Sequence, residues 1–122
     1  MGNKKGQKHY SDRIKQVIVA ESQINALVAY SYGFPAIALF GAGTTENQIK
    51  ELNSTEIIHY ILMYDNDDAG RKGAERFKKL IRKDCFVTDI LMPKNKDIAD
   101  CTKDEFWNIL KENNITVEKV PS

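Results

Sequence analysis

The chain has 122 residues, enough for one domain, and 42% of them are hydrophobic, enough for a core that needs no disulfide or structural metal. Its 18 Lys and Arg nearly cancel its 17 Asp and Glu, which excludes a protein that grips nucleic acid by bulk charge; any such contact must come from local patches. Two cysteines, Cys85 and Cys101, without histidines at zinc-ligand spacing, point to a reducing, cytoplasmic setting. The longest apolar run, 34–40, is too short to cross a bilayer and the polar start has no signal-peptide core, so a soluble protein without membrane contact is expected.

Residues 1–16 carry Lys4, Lys5, Lys8, Arg13 and Lys15 with little apolar content, which reads as a basic arm or linker remnant. From 17 onward short apolar runs alternate with amphipathic segments, the pattern of strand-helix units around a parallel sheet. Strands are expected at 17–20, 36–40, 57–64 and 86–91. Between the first two, Ile24, Leu27, Val28 and Tyr32 recur at helical spacing, and Gly33 with Pro35 supplies the stop. Thr44 or Thr45 suits the cap of a second helix running through Leu52. Asp67 or Asp68 can start a third, reaching Lys83 with Ala69, Ala74, Phe77, Leu80 and Ile81 inward. A fourth is expected over 103–112, where Phe106 and Trp107 pack on the core, and His9 and His59 stand isolated. The economical fold is a single α/β domain over 17–113, a four-stranded, mainly parallel sheet flanked by helices, followed by a short tail at 114–122.

Ligands of parallel sheets bind outside the carboxyl ends of the strands, where loops and helix amino termini converge. Glu21 follows the first strand, Gly41-Ala42-Gly43-Thr44 the second, Asp65-Asn66-Asp67-Asp68 the third and Lys94-Asn95-Lys96-Asp97 the fourth. Glu21, Asp65, Asp67 and Asp97 are therefore expected on one rim, where carboxylates repel one another unless a cation or proton intervenes. Hard oxygen ligands suit Mg²⁺, with Mn²⁺ as a substitute, bridging carboxylates to substrate phosphates. Each acid also has an ordinary explanation, since Asp is a favoured N-cap and Glu a favoured helix-opening residue. Gly41 to Thr44 lacks the ending of a phosphate-binding loop and suits a tight turn, whereas Ala69-Gly70 lets the next helix approach closely. That helix carries Arg71, Lys72, Arg76, Lys78, Lys79, Arg82 and Lys83, either a solvated face or a track for a nucleic-acid backbone that begins beside the acids.

Val17-Ile18-Val19-Ala20-Glu21-Ser22, Ala38-Leu39-Phe40-Gly41, the Gly-Ala-Gly-Thr segment and Tyr64-Asp65-Asn66-Asp67-Asp68-Ala69-Gly70 together resemble the TOPRIM domain of bacterial and phage DNA primases. The resemblance covers nearly all of the chain after the basic arm and implies the Rossmann-like TOPRIM fold. It implies Glu21 as general acid/base or metal ligand, and Asp65 and Asp67 as holders of Mg²⁺. Lys96-Asp97-Ile98-Ala99-Asp100 looks like the primase K-D-x-x-D/E segment, which makes Asp97 a further metal-site acid and Asp100 an additional one. Primases often have Asp four residues beyond the catalytic Glu; here that place is Asn25, an amide able to reach a metal-bound water. Arg71, Lys72 and Lys96 are the expected nucleic-acid contacts.

The implied activity is nucleotidyl transfer in RNA primer synthesis, with single-stranded DNA template and nucleoside triphosphates as partners and feeble catalysis by the isolated domain. A replicative helicase or further domains of a longer primase are the implied protein partners, since primases normally carry a basic subdomain and a zinc module that have no counterpart in these 122 residues. Two alternatives stay open: a TOPRIM nuclease, in which the same acids cut DNA or RNA, and a non-catalytic docking module. Phosphoaspartate receivers and haloacid dehalogenases place paired acids after the first strand, where this chain has one Glu.

Overall fold

The computed structural model describes residues 15–39 and 45–115. In chain order the elements are β1 (Gln16–Ala20), α1 (Gln23–Ser31), β2 (Ala36–Ala38), α2 (Glu46–Leu52), β3 (His59–Leu62), α3 (Asp68–Leu80), β4 (Phe86–Asp89), a 3₁₀ turn (Ile98–Asp100) and α4 (Lys103–Glu112). The strands form one sheet in the order β2-β1-β3-β4, every pair parallel. The registers Ala20↔Ala38, Val19↔Leu62 and Leu62↔Asp89 bring all four carboxyl ends to one side of the molecule.

Because side chains alternate across a strand, the sheet sorts its apolar residues into two cores. Ile18, Ala20, Ile61, Met63 and Ile90 meet Ala26 and Ala29 of α1 and Phe106 and Leu110 of α4 on one face. Val17, Val19, Tyr60 and Leu62 meet Ile49 of α2 and Ala74 and Phe77 of α3 on the other. The central strand β1 is buried on both sides from Val17 to Ala20, which is why its sequence is an unbroken apolar run rather than an alternating one. The α/β architecture is the one expected from the sequence pattern.

The structure corrects several details. The strands at 36–40, 57–64 and 86–91 are each shorter than expected. Ahead of β3 the chain is held as a loop by Arg82, whose guanidinium donates to the carbonyls of Asn53, Thr55 and Ile57. Arg82 is thus a structural clamp and not part of a basic helix face, because α3 ends at Leu80 and Ile81 turns to an extended conformation. Ala69 is exposed rather than inward, while Ala74, Phe77 and Ile81 are buried as expected and Leu80 is half-buried.

In α1 the large apolar side chains Ile24 and Leu27 are each 67% exposed, and the residues turned inward are Asn25, Ala26 and Ala29. Only small side chains let a helix that starts three residues after β1 lie this close to the sheet it has just left. Gly33, at φ 106°, then turns the chain toward β2 in a conformation that favours glycine. Thr45 caps α2 in a reciprocal pairing with Gln48, and Asp67, not Asp68, caps α3. Residues 1–14 of the basic arm expected at 1–16, the Gly41 to Thr44 turn and residues 116–122 of the tail expected at 114–122 lie outside the described residues. Among the described residues no helix is long and apolar enough to cross a membrane.

Candidate active site

Glu21 stands immediately after β1, half-buried, and its Oε1 accepts the backbone N–H of Asp65 at 2.7 Å. This one bond ties the carboxyl ends of β1 and β3 together. Burial pushes the Glu21 carboxyl above the usual carboxylate range; the Asp65 N–H opposes that rise, and the charges of Asp65 and Asp67 add to it. Asp65 is raised too, again first by burial, then by Asp97, Asp67 and Asp100. Its Oδ1 is buried and has no hydrogen-bond partner. A buried carboxylate oxygen left unpaired among other acids is costly in isolation, and a cation is the chemical remedy.

Asp67 caps α3: its Oδ1 accepts the Gly70 N–H at 2.7 Å, while its own N–H donates to the Asp65 carbonyl at 2.9 Å. The turn is so tight that a Cβ on Gly70 would lie 2.0 Å from the Asp65 carbonyl oxygen, so residue 70 must be glycine for α3 to start here. The capping explanation of Asp67 and its placement in the acidic rim therefore hold together: one oxygen caps the helix, and the side chain stays exposed beside Asp65.

Asp97 and Asp100 come from a 3₁₀ turn the sequence did not announce. Each carboxylate accepts the other residue's backbone N–H at 3.1 Å, a closed reciprocal cap. The signal was present in the sequence as an acid three residues after an acid, a spacing read for its chemistry and not for its capping geometry. Both charges reach Asp65. Glu21, Asp65, Asp67, Asp97 and Asp100 thus share one rim, the first three linked directly and the last two electrostatically.

Two expected site residues have partners of their own. Asn25 is 4% exposed and its Oδ1 accepts the Ala99 N–H at 3.0 Å, so the amide serves the 3₁₀ turn rather than reaching out to a metal-bound water. Lys96 is ion-paired with Glu105, which also closes the cap of α4 with Thr102. Arg71 and Lys72 are exposed on the opening turn of α3, where they line a shallow groove with Glu75, Arg76, Lys78 and Lys79. Within it, Lys78 is bound to Glu75 at 2.7 Å and to Asp89 at 2.9 Å. His59 lies away from the rim, between Gln16 at 3.1 Å and Thr88 at 2.8 Å.

The donor set fits a hard divalent cation: all-carboxylate oxygen, with Asp65 offering an unsatisfied atom. Among the described residues no three His, Cys, Asp or Glu side chains are grouped so that they could hold a metal ion together. A cation at this rim would be held by one or two carboxylates, with water and phosphate oxygens completing its shell.

The Toprim-like family profile matches residues 18–102, a span that runs through every acid of the rim. The chain belongs to the Toprim-like family. A 63-residue stretch of this Toprim-like chain is 36% identical to the DNA primase of Chlamydia pneumoniae, covering 51% of the chain and 11% of that protein. The chain therefore spans about a tenth of the length of that curated relative. Its fold superposes on a DNA primase domain from Pseudomonas aeruginosa with a TM-score of 0.69 at 21% identity, over 86% of this chain and 35% of that one. The Aquifex aeolicus primase gives 0.69 at 24% identity, over 86% and 27% of the two chains. The primase fragment of the bacteriophage T7 primase-helicase protein gives 0.64 at 21%, over 82% and 44%. The fold is that of a primase-type TOPRIM domain.

Proposed function

We propose that this Toprim-like chain performs metal-dependent phosphodiester chemistry on nucleic acid, as the nucleotidyl-transfer domain that makes RNA primers on single-stranded DNA from nucleoside triphosphates. The observation that carries it is the buried, unpaired Oδ1 of Asp65 in a rim shared with Glu21, Asp67, Asp97 and Asp100. The primase relatives support joining over cutting as the outcome of that chemistry.

Asp65, Asp67 and Asp97 are the proposed acids for Mg²⁺ or Mn²⁺, one or two of them reaching any one ion, with Asp100 beside them. When bound, the ion neutralises charge on the transferring phosphate and makes the attacking hydroxyl more acidic. Glu21 is the proton acceptor: with Oε1 committed to the Asp65 N–H, its second oxygen takes the proton of the primer's 3′-hydroxyl. The 3′-oxygen then bonds to the α-phosphorus of the incoming nucleotide, the α–β anhydride bond breaks and pyrophosphate leaves. The raised affinity of Glu21 for a proton suits this task better than an ordinary surface carboxylate would. Arg71 and Lys72, at the start of α3, offer contacts to the phosphate backbone, as positioning groups and not readers of sequence. Lys96, ion-paired with Glu105 and partly exposed, is a further proposed phosphate contact. Further domains of a longer primase, or a helicase as in the T7 protein, are the proposed partners.

The test is Mn²⁺-supported nucleotide joining and strand cutting on single-stranded DNA, run side by side for the chain and for Asp65→Ala and Glu21→Ala. Joining that drops by about a hundredfold or more in both variants is the expected result, the scale on which a positioned acid/base group acts. Cutting without joining would move the assignment to a nuclease. Metal binding with neither activity would make the chain a part of a longer enzyme that is inactive alone or a docking module, and activity that survives both substitutions would remove the proposed site.

A further inference from the structure

Among the described residues Asn25, at 4% exposure, is the one buried side chain that is neither apolar nor aromatic apart from Cys101. Buried polar groups are rare and must be matched, and this one is matched across 74 residues of sequence: its Oδ1 accepts the N–H of Ala99, at the centre of the 3₁₀ turn, at 3.0 Å. Asn25 itself is fixed at the other end. It lies in the first turn of α1, where its N–H donates to the capping Ser22 Oγ at 3.2 Å, one residue after Glu21.

A second bond from the same helix reaches the same turn, since the Tyr32 hydroxyl at the end of α1 donates to the Cys101 carbonyl at 2.7 Å. Ile98 and Cys101 anchor the turn in the core beneath. The mutual caps of Asp97 and Asp100 shape the turn locally, but they cannot say where it sits relative to β3. That placement comes from α1.

We propose that Asn25 is a positioning residue: its buried amide clips the Ile98–Asp100 turn to the first turn of α1, and so sets where Asp97 and Asp100 stand relative to Glu21 and Asp65. An amide suits the task because it accepts the Ala99 N–H without adding a further negative charge to a rim of five acids. The inference deepens the cation-binding reading of the rim and rests on it. Outer groups that orient ligands of a metal typically govern its affinity by ten- to a hundredfold although they never touch it.

The experiment measures Mn²⁺ affinity by electron paramagnetic resonance, together with residue-resolved amide exchange, for the full chain and for Asn25→Leu and Asn25→Asp. Leucine fills the same space without an acceptor, whereas aspartate keeps the acceptor. Asn25→Leu is expected to weaken Mn²⁺ binding about tenfold or more and to speed exchange at Ala99 and Asp100, with the β1 and β3 amides still protected. Asn25→Asp is expected to bind Mn²⁺ at least as well as the parent chain and to keep Ala99 protected. Parent-like affinity in Asn25→Leu, or a loss in Asn25→Asp as large as in Asn25→Leu, would overturn the assignment. If Asn25→Leu fails to fold, the aspartate variant decides alone: retained affinity with Ala99 protection supports the clip, and loss of either refutes it. A parent chain that binds no Mn²⁺ would bring down the cation-binding reading instead. The clip would then be judged on exchange, with unchanged Ala99 and Asp100 amides in Asn25→Leu counting against it.

Discussion

Helices α1 and α3 lie on opposite faces of one sheet, and each follows a strand whose carboxyl-end loop carries acids of the rim. Helix α3 behaves as an amphipathic surface helix should: Ala74 and Phe77 face the core, and Arg71, Lys72, Arg76 and Lys79 face out. Helix α1 inverts the rule. It buries two alanines and an asparagine while Ile24, Leu27 and Tyr30 stand 67%, 67% and 69% exposed. The difference teaches that α3 is held by what its apolar stripe gains on leaving water, whereas α1 is held by close approach and by hydrogen bonds to a distant turn.

The comparison breaks most strongly at Phe77. Truncation of this fully buried ring, which packs edge-on to Tyr60, should cost about 3–5 kcal/mol in urea unfolding. Next comes the joint between β3 and α3: Gly70→Ala must displace the Asp65 carbonyl, at a cost of about 1–3 kcal/mol, and should abolish nucleotide joining while the far end of α3 remains helical by exchange.

Asp65→Asn has the opposite sign for stability. It removes a charge that burial and three neighbouring acids disfavour, and should stabilise the metal-free chain by up to about 1 kcal/mol while removing activity. A parent chain no less stable than this variant in metal-free buffer is what added Mg²⁺ should produce, by preferential binding to the folded form.

A smaller effect sits on the α1 side of the sheet. His59 is neutral when its Nδ1 accepts from Gln16 and its Nε2–H donates to Thr88, and burial lowers its pKa below the ordinary 6.5. Between the lowered folded value and 6.5 the unfolded chain binds more protons, so stability falls as the pH drops below about 6.5. His59→Gln should flatten that part of the pH–stability curve. Smallest of all is Leu27→Ser on the outer face of α1: its effect should stay within about 0.5 kcal/mol, where a helix held by its apolar stripe would lose several times that.

The fold was largely legible because a parallel sheet buried on both faces leaves continuous apolar runs, as at Val17 to Ala20, and because caps such as Thr45 and Asp67 use recognisable residues. The acids Glu21, Asp65 and Asp67 were legible for the same reason: strand ends of a parallel sheet all emerge on one side. What misled was periodicity read without distance. Ile24 and Leu27 have helical spacing, yet the inward face of α1 was chosen by how near its backbone lies to β1. Charge read without partners misled likewise at Arg82, which spends its donors on three loop carbonyls.

By itself the sequence determined the α/β class and the acids at the strand ends, since each follows from patterns of residues near one another in the chain. Only the tertiary structure decided the strand order, which side of α1 faces in, and that Asn25 holds the Ile98–Asp100 turn from 74 residues away. The reason is physical: a hydrogen bond between distant segments depends on how two helices and a turn dock on the sheet, and no local pattern encodes that docking.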